Sequence, residues 1–253
     1  MDMFAGISNP VEPQQLVFVL LAVLAAAVLR AFTGFGFGLA AVPVFALFMP
    51  PTQAVVLSSS LTFAISLFSL RTYWGEYPVK SLLPMLAMAL VGTAIGVTLL
   101  ARLDARQFQL WVGIAVIATC LVLTRYRPRR RQPVVGTGSA AGLLSGVLNG
   151  VFAMPGPPVI IYALATQPDP ARSRSLLMTF FLFASALALV LYALAGFFTP
   201  ATPWLFVLAF PLMLLGDRVG YALFHRFAGR FYRRVAVLVL LALGVVVTTR
   251  SLV

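Results

Sequence analysis

Three glycines at alternate positions are the residues of this chain best suited to bind a small ion. They lie in the stretch TGFGFGLAAVP, where they interrupt what would otherwise be one long membrane helix. Lipid cannot hydrogen-bond an open backbone, so such a break is tolerated only where protein covers it or where it lines a polar cavity. Closely spaced glycines let successive N–H groups converge on an anion. We therefore predict a substrate-binding segment that comprises Thr33, Gly34, Phe35, Gly36 and Gly38.

A second break with the same character occurs in the other half of the chain, in the stretch NGVFAMPGPP. Its prolines lack N–H donors, so Gly156 and the amide of Asn149 would have to supply much of the polar contact. Two such breaks in corresponding halves indicate a transporter's substrate site, whereas the alternative is close helix packing through small residues. The residues predicted to bind substrate here are Asn149, Gly150, Pro155, Gly156 and Pro157.

The elements that position these breaks are membrane helices. The chain of 253 residues is 61% hydrophobic and 9% charged, with a mean hydropathy of +1.02, which excludes a soluble globule. Nearly continuous apolar runs favour an all-α integral membrane protein over a barrel. Cutting the runs at charges, glycines and prolines predicts ten segments: 16–32, 37–48, 53–70, 81–101 and 108–124, then 134–151, 157–166, 175–197, 202–224 and 234–249. Segments 37–48 and 157–166 are too short to span, so we expect 8–10 membrane helices with short half-helices after the breaks.

The two halves align with each other, which predicts a duplicated unit of about five segments. The alignment places 33–44 over 148–159, and it places Gly92 and Gly96 over Gly216 and Gly220. We expect a first repeat at 1–124, a basic cytoplasmic linker at 125–133 and a second repeat at 134–253. An odd number of segments per repeat implies that the repeats are inverted.

Basic residues decide the predicted orientation. The net charge is +12, from 18 basic and six acidic residues, and the basic residues concentrate at segment ends. This pattern is typical of cytoplasmic loops held against anionic lipid and does not indicate nucleic-acid binding. With the densest basic block, 125–131, inside, both termini are predicted outside.

Charged and hydroxyl side chains near the breaks are further candidates. Arg30 could pair with an oxyanion, or it could snorkel to the surface. Asp217 and Arg218 could form a gate or proton relay, or a structural pair, and Arg174 could guard the inner mouth. Hydroxyls that could line a cavity, or simply bond to neighbouring helices, occur at Ser58, Thr62, Ser175 and Thr179.

Enzymatic chemistry is not expected. His225 is the sole histidine and Cys120 the sole cysteine, so neither a catalytic dyad nor a metal site can be assembled at membrane depth. The sequence also lacks a phosphate-binding loop. We therefore expect no catalytic residues, no metal site and no cofactor.

The stretches RAFTGFGFGLAAVPV and GLLSGVLNGVFAMPGPPVIIYAL resemble the paired signatures of the TauE/SafE sulfite exporter family (TSUP), and the resemblance extends over nearly the whole chain. It implies a secondary transporter of small sulfur-containing anions, such as sulfite, sulfonates or sulfoacetate. The membrane would be the bacterial cytoplasmic (inner) membrane, and the usual direction is outward.

We expect alternating access around a site near the midplane. The alternatives are a carrier for another small organic anion or sulfur compound, including an inward one, and a non-transporting membrane partner subunit. A coupling proton or sodium ion and a homodimer are compatible with the sequence, which specifies neither.

Overall fold

The computed structural model describes residues 13–33, 36–125, 135–227 and 230–252. These residues form ten α-helices and no strands, which confirms the all-α prediction. The first five are α1 (Pro13–Thr33), α2 (Gly38–Phe45), α3 (Pro51–Phe68), α4 (Leu83–Leu100) and α5 (Ala105–Arg125). The second five are α6 (Val135–Phe152), α7 (Gly156–Thr166), α8 (Pro170–Leu194), α9 (Ala201–Phe227) and α10 (Arg230–Leu252).

Helix ends differ from the predicted segments by a few residues because polar residues can begin a helix that apolar residues continue. α8 starts at Pro170, five residues before the apolar run, since a proline suits the first turn and Asp169 caps it. The Asp169 carboxylate accepts a hydrogen bond from the Ala171 N–H at 3.2 Å. The helix ends before Gly196, whose φ of +72° no helix continues.

Six helices of the described chain are long and apolar enough to cross a membrane: α1, α3, α4, α5, α8 and α9. Large apolar side chains on their outer faces are exposed, including Phe18 on α1 and Ile95 on α4. Such faces suit lipid. α2 has 8 residues and α7 has 11, so they extend only about 12 and 16 Å, too short for a hydrocarbon layer of about 30 Å. Each short helix follows one of the predicted breaks.

Two groups of four helices contain the breaks, and each group takes helices from both halves of the chain. In group A, α1, α2 and α3 pack together and α9 packs on α1 and α3. In group B, α6, α7 and α8 pack together and α4 packs on α6 and α8. The groups meet mainly where α3 contacts α8, and α5 and α10 pair with each other and pack against α1 and α2. Each helix in one half therefore has nearly the same neighbours as its counterpart in the other.

Glycines allow the closest of these contacts. A Cβ at Gly216 on α9 would lie 2.7 Å from both the Ala27 Cβ and the Leu24 carbonyl oxygen on α1. A Cβ at Gly92 on α4 would overlap the Leu143 carbonyl oxygen on α6. Gly92 and Gly216, which the repeat alignment equates, thus have the same role in the two groups: they let two helix backbones approach each other.

Candidate functional site

The two breaks touch each other at the boundary between groups A and B. Gly38 begins α2 and is buried. A Cβ at this position would overlap the Ala153 carbonyl oxygen of the second break and would lie 3.2 Å from Ser58 Oγ on α3. The structure therefore brings together both glycine- and proline-rich segments and one of the predicted hydroxyls.

Unusual backbone conformations occur on both sides of this contact. Gly36 has a φ of +90°, a region that side-chain-bearing residues rarely adopt, and it faces the ring of Phe181 on α8. Ala153 has a φ of +52° although it is not glycine. It ends α6 in the manner of a C-terminal cap, because its N–H donates to the Asn149 carbonyl and the next N–H donates to the Leu148 carbonyl. Backbone held in such a region is a feature of ligand clamps and switch regions.

Buried hydroxyls without a hydrogen-bond partner in the described part of the chain occur on α3 and α6, two of the helices that meet at the contact. Ser58 and Thr62 lie one helical turn apart on α3, and their hydroxyl oxygens have no hydrogen-bond partner among the described residues. Ser145 on α6 is in the same condition, and the sequence analysis did not select it. A buried polar atom without a partner costs free energy, so hydroxyls in this state are suited to bind a polar solute.

Asn149 connects α6 to α8. Its side-chain NH₂ donates to the Ala184 carbonyl at 2.8 Å, and the Tyr192 hydroxyl donates to the Asn149 carbonyl, also at 2.8 Å. Gly150 packs against α4, where a Cβ would overlap the Thr93 carbonyl oxygen. These contacts hold the end of α6 in place, and Pro155, Gly156 and Pro157 then begin the buried start of α7.

Arg30 and Asp217, which the sequence analysis selected separately, form an ion pair. Arg30 Nη1 donates to Asp217 Oδ1 at 2.9 Å, linking α1 to α9. The Arg30 side chain is 14% exposed and that of Asp217 34%. The Arg174 guanidinium of α8 and the Tyr73 hydroxyl lie close enough to interact electrostatically with Arg30. Arg218 is exposed on α9.

Tyr73 holds the loop between α3 and α4 against this cluster, a role that the sequence analysis missed. Its side chain is buried, and its hydroxyl donates to the Ser66 carbonyl at 2.7 Å. Burial raises the Tyr73 pKa to about 12, and the positive charge of Arg30 opposes that rise. Ser175 Oγ donates to the Tyr73 carbonyl at 2.8 Å. Ser175 therefore binds the loop. Thr179, one turn further along α8, is buried as Ser175 is.

Some predicted positions lie outside the described residues. These are Gly34, Phe35, the side chain of Thr33 and residues 126–133 of the predicted linker 125–133. In the remainder of the chain, no group of three or more His, Cys, Asp or Glu side chains is placed to hold a metal ion.

Together, the six described helices that are long and apolar enough to cross a membrane, the paired breaks and the Arg30–Asp217 ion pair indicate a multi-pass membrane protein. The family profile described as sulfite exporter TauE/SafE matches residues 19–247. The chain belongs to this family. Membership implies a membrane exporter of sulfite or a related sulfur anion, and the family's members are transporters rather than enzymes. Neither the curated proteins nor the solved structures give a match.

Proposed function

We propose that this protein is a secondary transporter that exports small sulfur-containing anions of the sulfite, sulfonate or sulfoacetate type across the bacterial cytoplasmic membrane. The observation that carries the proposal is the contact between the two breaks, where Gly38, Ala153 and Ser58 meet. This contact lies between two helix groups of matching composition, which is where an alternating-access carrier binds its substrate.

The chemistry of these residues suits a tetrahedral or pyramidal oxyanion. Ser58 and Thr62 supply hydroxyl donors, and the irregular backbone beside Gly36 supplies N–H groups. Arg30 adds a guanidinium, which can donate two parallel hydrogen bonds to a pair of oxygens. The Arg30 guanidinium already donates to Asp217, so an anion must compete with that carboxylate.

In the proposed cycle, group A and group B rock against each other while the repeats, inverted with respect to the membrane, expose the site first to one side and then to the other. The α3–α8 contact and the two breaks form the surface across which the groups move. The site opens when this surface separates on one side, because it then admits water and substrate.

Flux into proteoliposomes tests the proposal. Wild-type protein should show saturable exchange of labelled sulfite that unlabelled sulfonates inhibit. Arg30→Ala should abolish this exchange by removing the cation, and Gly36→Leu should abolish it because leucine cannot adopt the φ of +90° without strain. Gly136→Ala is the matched control, since a Cβ there meets no atom within 4 Å.

Three results would contradict the proposal. Unchanged sulfite exchange in both Arg30→Ala and Gly36→Leu would show that these residues do not form the substrate site. If the wild type exchanges carboxylates but not sulfite or sulfonates, the substrate is a carboxylate and the proposed sulfur-anion class is wrong. Absence of any saturable flux in correctly folded wild-type protein would favour a non-transporting partner subunit.

A further inference from the structure

We propose that Asp217 is the site at which a coupling proton binds, and that this chain carries one proton in the same direction as each anion, so that the outward gradient of the anion drives export. The inference rests on the proposed transport function and deepens it by identifying the coupling ion. It depends on the geometry of the Arg30–Asp217 pair, on the charges that surround that pair and on the residues at the positions that the repeat alignment equates with the pair.

Asp217 is the one acidic residue that lies within a predicted membrane segment. The other five acids of the sequence are Asp2, Glu12, Glu76, Asp104 and Asp169, all outside the predicted segments. Acidic residues inside membrane segments are costly and are typically found on ion or proton pathways. Asp217 is therefore the acid best placed to bind a proton that moves with substrate.

One cation contacts this carboxylate directly, and the other charged or titratable groups nearby interact with that cation. From α1 it faces Arg30, which donates to it at 2.9 Å. From α8 Arg174 interacts with the same cluster, and from the loop after α3 the neutral Tyr73 hydroxyl does so. α3, the other helix packed on α9, brings no charged side chain, and Arg218 on α9 itself is exposed. The guanidinium of Arg30 is thus the direct ion-pair partner of Asp217.

Anion binding changes the charge that faces Asp217. When a sulfite or sulfonate oxygen takes the Arg30 N–H donors, Asp217 loses its partner in a partly buried position, where an unpaired charge is unfavourable. A proton that binds Asp217 Oδ1 converts the carboxylate to a neutral carboxyl group. The empty carrier contains one cation and one anion, and the loaded carrier contains the Arg30 cation, the neutral carboxyl and the bound anion. With a monovalent anion both forms have the same net charge, so both can reorient.

The repeat alignment indicates that one proton site is present rather than two. Extending the alignment places Arg30 over Ser145 and Asp217 over Thr93. Both hydroxyl residues are fully buried, and neither can ionise near neutral pH. A proton also needs only one oxygen lone pair, which Asp217 supplies, whereas sodium needs a shell of several oxygen ligands. The expected stoichiometry is one proton per anion.

Two assays on the same proteoliposomes test the proposal with labelled sulfite under nitrogen. The first is exchange at equal pH, which requires no net proton movement. The second is accumulation driven by a pH gradient with the membrane potential clamped, corrected for protein-free vesicles. We expect Asp217→Asn to retain exchange, because Arg30 is still present, but to lose pH-driven accumulation down to the level of protein-free vesicles. Asp217→Glu should recover accumulation, and Asp104→Asn, the same change on an exposed turn, should behave as wild type.

Distinct results separate the two proposals. If Asp217→Asn accumulates sulfite in response to the pH gradient as wild type does, the proton binds elsewhere and the inference is wrong. If a sodium gradient drives sulfite accumulation by the wild type in the absence of a pH gradient, the inference is wrong as well. Loss of wild-type exchange itself would instead refute the transport function.

Should Asp217→Asn fail to fold, infrared difference spectra of the folded wild type decide the question. Added sulfite should produce a protonated-carboxyl band that shifts in Asp217→Glu. A spectrum without that band would refute the assignment.

Discussion

Replacing Gly38 by alanine tests the contact between the two breaks with a single methyl group. The new Cβ would overlap the Ala153 carbonyl oxygen and would lie 3.1 Å from its carbonyl carbon and 3.2 Å from Ser58 Oγ. The Ala153 carbonyl atoms belong to the backbone and cannot rotate aside, so the end of α6 in group B must move away from α2 in group A.

The magnitude follows from two opposing effects. Overpacking of this kind costs about 1–3 kcal/mol in well-packed cores. Replacing a helical glycine by alanine returns up to about 1 kcal/mol, because the unfolded chain loses freedom. The net expectation for Gly38→Ala is a destabilisation of about 0.5–2 kcal/mol. Gly136→Ala, where a Cβ meets nothing within 4 Å, should keep only the gain of about 0.5–1 kcal/mol.

The chain supplies its own reporter for this measurement. Cys120 is the only cysteine and is buried in α5, so a thiol-reactive fluorogenic dye labels it only on unfolding. Thermal unfolding followed with the dye should place Gly38→Ala below wild type and Gly136→Ala at or above it. Sulfite exchange by Gly38→Ala should fall at the same time. A Gly38→Ala protein that melts at or above the wild-type temperature would show that the two breaks do not meet as described.

Three further predictions use the same thermal assay. Arg30→Ala should lower the free energy of unfolding by about 1–3 kcal/mol, less than the roughly 3–5 kcal/mol typical of a fully buried pair, because Asp217 is 34% exposed. Adding Asp217→Ala should recover part of that loss. Equal stability of the single and double variants would contradict this prediction. Tyr73→Phe should cost about 0.5–1.5 kcal/mol through the lost hydrogen bond to Ser66. Because folding raises the Tyr73 pKa from 10.0 to about 12, its contribution is complete below pH 10 and declines as the pH rises towards 12, so wild type should lose more stability than Tyr73→Phe over that range. Gly92→Leu and Gly216→Leu should each destabilise the protein strongly, and a neutral effect of either would contradict the close backbone contact at that position.

Helix content and the positions of the breaks were predictable because they depend on local composition. Ten segments, two of them too short to cross a membrane, correspond to ten helices, of which α2 and α7 are the short ones. Ser58 and Thr62, which the sequence indicates as hydroxyls beside a break, are buried, and their role in binding stays a prediction. Each of these features is readable from a stretch of fewer than about 25 residues, the length of one membrane span.

Pairings across the chain could not be predicted, because a single sequence contains no distances. Arg30 and Asp217 are 187 positions apart, and each was interpreted without the other. Tyr73 has the composition of an ordinary loop residue, and only its contacts with Ser66 and Ser175 reveal its role. Ala153 gives no signal in the sequence either, since alanine rarely adopts a positive φ and nothing local requires it.

The packing of the helices changes which parts of the molecule can move as units. If the sequence halves rocked as rigid bodies, α1 would have to separate from α9 and α4 from α6, where glycines bring the helix backbones close together. A motion that keeps them intact must move α9 with α1 and α4 with α6. The α3–α8 surface and the contact between Gly38 and Ala153 then separate, and the same surface carries Ser58. Group A takes α9 from the second half of the chain, and group B takes α4 from the first half. The contact between the two breaks therefore lies on the surface that opens, while the Arg30–Asp217 pair stays within group A.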